Sequence, residues 1–167
     1  MQTELDKLLE KSIGALSISL DTAVRSALCN YEALELKDKK GELSHIYISF
    51  LLSSVLCKLP LLRIDLLDAN GRNDMTECCI DWDVARFSDN LYRDANESAK
   101  QIERIKEYEL EKLWLDAAKE YFQALEKYMP SIIEGCSVVH ELKCQWHFGQ
   151  FLGSTTIVRE SDKDEIL

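Results

Sequence analysis

The chain has 167 residues, 46% of them hydrophobic and 30% charged, which is the composition of an ordinary globular protein and excludes a disordered or fibrous one. A net charge of −10 makes it a poor match for nucleic acid or an anionic membrane, and attracts it to a basic protein or a cation. With 6 glycines and 2 prolines there are few chain breakers, so long helices are expected, in one domain over residues 1–160 followed by a charged, frayed tail at 161–167.

The first residues contain acids and no apolar stretch of the kind a secretion signal needs, so a soluble, cytoplasmic protein is expected. Thr3-Glu4-Leu5-Asp6 matches a helix-start capping pattern. Behind it Leu5, Leu8, Leu9, Ile13, Leu16, Leu20, Val24, Ala27, Leu28, Tyr31 and Leu34 form a helical stripe. Gly14 weakens the middle of this helix, so a break between Gly14 and Asp21 is allowed for, with Asp21 capping a second piece. Lys37, Lys39 and Lys40 suit a helix C-terminus, and Gly41 suits a left-handed cap.

Residues 42–57 are apolar nearly all round, which fits a buried helix, although His45 to Phe50 is rich in β-formers. After Pro60 the period falls to two. Leu62, Ile64 and Leu66 alternate with Arg63 and Asp65, and Cys78, Ile80 and Trp82 alternate with Glu77, Cys79 and Asp81. A hairpin over residues 61–83 follows. Asn70-Gly71 suggests a two-residue turn, but that would set apolar against polar positions. An odd loop, such as Asn70 to Arg72, keeps both apolar sets on one face.

Residues 98–129 carry the strongest helical pattern: Ile102, Ile105, Leu110, Leu113, Ala117, Tyr121, Leu125 and Tyr128 recur at helical spacing. One long helix is expected, starting between Ser88 and Ala95 and stopped by Pro130. A short helix with Ile132, Ile133, Cys136 and Val139 as its apolar side would follow. Cys144, Trp146 and Phe148, and then Thr155 to Arg159, suggest C-terminal strands. The expected fold is α+β and predominantly helical: long amphipathic helices packed with a small antiparallel sheet of about four strands.

Two groups of residues could carry chemistry. The hairpin collects Asp65, Asp68, Asp74, Glu77 and Asp81, with Asp83 beyond. Such carboxylates can bind a basic protein, hold Mg²⁺ or Ca²⁺, or simply keep a sheet surface solvated. The turn is no EF-hand, since Arg72 stands where an oxygen ligand belongs. His140, Cys144 and His147 would share a face and suit zinc if helical, and would be split if Cys144 and His147 lie on a strand. The six cysteines show no CxxC spacing, and no cofactor motif is present. These features lean away from an enzyme. They favour an acidic cytoplasmic protein-binding module, an inhibitor, immunity-type or regulatory protein that masks a basic partner. A small metal-dependent hydrolase using the hairpin carboxylates and a structural homo-oligomer are the alternatives.

Overall fold

The computed structural model describes residues 2–160, apart from the side chains of residues 85–88; the tail expected at 161–167 lies outside the described residues. Helix α1 (Glu4–Glu35) opens with the anticipated capping box: Asp6 N–H donates to Thr3 Oγ1 (3.1 Å) and Thr3 N–H to Asp6 Oδ2 (3.2 Å). The helix does not break at Gly14. Asp21 caps a different element, accepting from Val138 N–H (2.8 Å) and Ser137 Oγ (3.1 Å) in the short 3-10 turn Ser137–Glu141. At its C-terminal end the left-handed residue is Asp38 (φ 52°), not Gly41. Asp tolerates that region because its short polar side chain can bond locally.

The segment expected to be helical at 42–57 is mostly not. It forms strand β1 (His45–Phe50) and then the five-residue helix α2 (Leu52–Leu56). Ile46 and Ile48 point to the core while His45, Tyr47 and Ser49 point away, so a period of two lay inside an apparently uniform apolar run. β2 (Leu61–Leu67) and β3 (Cys79–Asp83) form the expected antiparallel hairpin, in the register Leu62↔Trp82, Ile64↔Ile80 and Asp65↔Cys79. The connection has the expected odd parity but is longer than three residues. It contains the 3-10 turn Gly71–Asn73, and Asp68 accepts from Asn70 N–H (2.9 Å) within it.

The expected long helix is two. α3 (Ala85–Lys100) and α4 (Glu107–Glu134) are separated by a bend at Arg104 (φ 57°) and fold back on each other, with Trp114 Nε1 donating to Asn96 Oδ1 (3.1 Å). No Gly or Pro announces the bend. Doubling back lets both halves bury apolar residues, which a single rod leaving the core at Ile102 could not do. The buried stripe of α4 runs through Trp114, Ala118, Tyr121, Phe122, Leu125 and Met129, with Leu113 and Ala117 only half-buried at its margin. Pro130 does not end α4. Its ring is exposed, and the completely buried Ile132 and Ile133 carry the helix one more turn. Burying two such side chains contributes about 3–6 kcal/mol, enough to offset the roughly 3 kcal/mol a helical proline costs.

β4 (Gln145–Gln150) and β5 (Thr155–Arg159) complete a five-stranded sheet in the order β3-β2-β1-β4-β5. β4 runs parallel to β1 after the crossover through α3 and α4, so the sheet is mixed. Helices cover one face, α1 over β2 and β3 and α4 over β4 and β5. The Trp82 indole donates to Ser19 Oγ (2.9 Å), and Phe50 stacks on Phe122 with centroids 4.5 Å apart. The result is an α+β, helix-rich architecture. Among the described residues no helix is long and apolar enough to cross a membrane.

Candidate functional site

The sheet face turned away from the helices presents the odd-numbered residues of β1, β2 and β4. Two loops reach over it, the β2–β3 connection and the β4–β5 turn. Arg72 from the first donates to Gly153 O in the second (2.9 Å), and its guanidinium lies 5.0 Å from the Tyr47 ring centre. Beneath it Tyr47 stacks flat on His147, centroids 4.1 Å apart, and His147 Nε2 lies 3.2 Å from His45 Nδ1. Burial, together with the nearby His45 and Arg72, lowers the His147 pKa to about 4, so the ring is neutral at neutral pH.

Between the loops lies a cavity of about 260 Å³ lined by Tyr47, Ser49, Arg63, Asp65, Phe151 and Leu152, among others. Its floor is an ion-pair ladder. Arg63 Nε donates to Asp65 Oδ1 (2.9 Å) and Nη2 to Glu77 Oε1 (2.6 Å), while the Phe151 ring sits 5.0 Å from the guanidinium carbon. These carboxylates hold the Arg63 guanidinium firmly protonated. Its rim is apolar and solvated: Met75 is 95% exposed and Leu152 82%. Isolated exposed apolar side chains need no explanation, but two flanking one cavity beside charged groups resemble the make-up of an interface.

The five hairpin acids do not act as one cluster. Asp65 and Glu77 share Arg63, and Asp65 faces Cys79 across the strands, so the carboxylate-against-carboxylate pairing that an odd three-residue loop would give does not occur. Asp81 is exposed opposite Arg63. Asp68 is buried, and Asp74 also lines the cavity, with its side chain turned in and 3% exposed. Asp74 pairs with the Lys40 ammonium and accepts from Thr76 N–H (2.9 Å) and Asp68 N–H (3.2 Å), while Asp68 accepts from Gly41 N–H (3.2 Å). That network ties the chain after α1 to the β2–β3 connection. A divalent cation at either place would first have to displace Arg63 or Lys40.

The second group is also divided. Cys144 is buried on the helix side, His147 lies on the open face, and His140 is exposed in the 3-10 turn after α4. Among the described residues no three His, Cys, Asp or Glu side chains come together as a metal site. Burial pushes the Cys144 thiol up to about 12 and, with Glu77 and Asp65 beside it, the Cys79 thiol up to about 11, so neither is a ready nucleophile. All six cysteines are unpaired.

Tyr47, Ser49, Met75, Phe151 and Leu152 were not singled out by sequence reasoning. The alternation His45-Tyr47-Ser49 was the available signal for the first two. The others lie on loops, where no periodicity marks them. No protein family, curated protein or solved structure matches this chain.

Proposed function

We propose that this protein is a non-enzymatic, acidic, cytoplasmic binding module that docks a basic partner protein on the open face of its sheet, as an inhibitor, immunity-type protein or regulator. The observation that carries the reading is the pairing of solvated apolar side chains, Met75 and Leu152, with the ion-pair ladder between them. Covering the apolar rim would supply affinity at about 25 cal/mol per Å² of apolar surface. The net charge of −10 would accelerate encounter with a cationic partner in a salt-dependent way. Because Arg63 already neutralises Asp65 and Glu77, these two serve to orient and solvate the site, and exposed acids such as Asp81 supply the long-range attraction.

Affinity capture from the native cell tests this, using the native protein, Met75→Asp with Leu152→Asp, and Ile18→Asp as a control on the far helix, where Ile18 is 72% exposed. A basic protein held by the native chain and the control and lost by the rim variant is expected, with association slowed by salt. A partner that is acidic, or retained by the rim variant, contradicts the proposal. Mass in solution separates it from the homo-oligomer reading.

A further inference from the structure

The sheet ends in two edges that are guarded differently. β3 carries Asp81 and Asp83, both exposed, and charge on an edge strand is a standard block to further pairing. Among the described residues β5 has no such block. Thr155, Thr156, Ile157 and Val158 form an uncharged, β-branched run without proline; the strand's own charge, Arg159, bends back to Glu134 on α4 (2.6 Å), and Glu160 just beyond it accepts from Gln145 Nε2 on β4 (2.7 Å). Gln150 N–H donates to Ser154 O (3.2 Å) at the turn, and the register continues as Gly149↔Thr155, Phe148↔Thr156 and His147↔Ile157. In an antiparallel ladder bonded and non-bonded pairs alternate, so the backbone N–H and C=O of Thr155 and Ile157 point outward, away from β4. The Ile157 side chain, 50% exposed, lies on the open face over the same strands as the cavity.

We infer that β5 is the docking edge for an extended segment of the partner, added as a sixth strand, in which Lys or Arg alternates with an apolar residue. The basic character of that segment rests on the proposed function; the alternation comes from the two sides of β5. On the helix side stand Glu126, which accepts from Thr156 Oγ1, and Glu134, which pairs with Arg159 but keeps a side chain 63% exposed that a further cation could share, so the attraction on this side comes from these partly engaged carboxylates together with the net charge of −10. On the open side stands Ile157. Residues of an added strand point alternately to these two sides, so one set meets carboxylates and the other covers the isoleucine. A second copy of this chain is the poorer occupant, because two chains of net charge −10 each repel one another.

The test uses a capped eight-residue peptide alternating Lys and Val. The first control has its four lysines and four valines in separate blocks, and the second is the alternating peptide with alternate backbone nitrogens methylated. Binding is followed by fluorescence anisotropy at low salt, and amide exchange is read at Thr155 and Ile157. Saturable binding of the alternating peptide with slowed exchange at both amides is expected. Binding should weaken roughly tenfold for the methylated peptide, and by a similar factor for Ile157→Pro, since each removes at least one backbone hydrogen bond. Equal binding of all three peptides, or no saturable binding, overturns the inference. The methylated peptide acts on the native protein, so the outcome does not depend on Ile157→Pro folding. If Ile157→Pro folds and still captures the native partner while the Met75→Asp, Leu152→Asp variant does not, edge addition is wrong and open-face docking survives. Loss in both supports the two together.

Discussion

Lys40 and Asp74 offer the sharpest test of how the site is held. Their side chains are 0% and 3% exposed, and Lys40 also donates to Thr76 O and lies 5.2 Å from the Tyr31 ring centre. Lys40→Met keeps the stem and removes the cation, leaving a buried carboxylate with only the Thr76 and Asp68 N–H groups. Breaking one side of a buried pair costs about 3–5 kcal/mol, a large part of the roughly 5–15 kcal/mol that stabilises a typical domain. Asp74→Ala should cost at least as much, because it also orphans those two backbone donors. The double variant Lys40→Met, Asp74→Ala should lose clearly less than the sum of the singles. Burial alone would raise the Asp74 pKa, but Lys40 and the two N–H groups outweigh it and hold the carboxyl below its usual range. Its contribution is therefore complete above the unfolded value, about 4, and is lost as pH falls through the folded one. In Lys40→Met burial is unopposed by the cation, so the gap between native and variant should narrow in acid. Urea unfolding at neutral pH and near pH 4 measures both effects. A neutral-pH loss below about 1 kcal/mol, or a gap that does not change with pH, would refute the pairing as the clamp between the loops.

Three further outcomes are expected. The His147 pKa of about 4 lies below the unfolded value, so the folded state excludes a proton that the unfolded chain binds. Stability should be full above about pH 6.5 and fall by about 2 kcal/mol on reaching pH 5, a slope that His147→Gln removes in urea titrations. Gly149→Ala would drive a Cβ into Ser154 O and to 2.7 Å from Thr155 Cα, both backbone atoms of the β4–β5 hairpin, so a loss of about 1–3 kcal/mol and faster amide exchange along β5 are expected. Pro130→Ala should raise stability by about 1–2 kcal/mol, the restored helix bond exceeding the entropy returned to the unfolded chain, as read from the unfolding midpoint.

Much of the fold was legible where one periodicity dominated a long window. α1, the β2–β3 hairpin and the two C-terminal strands follow from stripes of three to four or two, and the parity of the hairpin connection followed from keeping Ile64 and Ile80 on one face. What was hidden depends on tertiary packing. β1 is central, paired on both sides and partly buried even on its open face at Ser49, so its alternation looked like an all-round apolar helix. The bend between α3 and α4 has no local breaker, and Pro130 was overruled by the burial of Ile132 and Ile133. At the site, the acids were visible but not their partners. Arg63 lies two residues from Asp65 and was readable as a neighbour, whereas Lys40 reaches Asp74 across 34 positions, a contact no local pattern encodes. Met75 and Leu152 enter the proposed site because they are exposed, and sequence hydropathy alone points such residues inward.

The central claim is that the open face and the β5 edge receive a partner. Hydrogen exchange of the native protein, alone and saturated with its captured basic partner, tests it most directly. Slowed exchange confined to β1, the β2–β3 connection, the β4–β5 turn and β5 is the predicted result. Protection confined to α1 and α4, with β5 exchanging as it does in the free protein, would contradict the account.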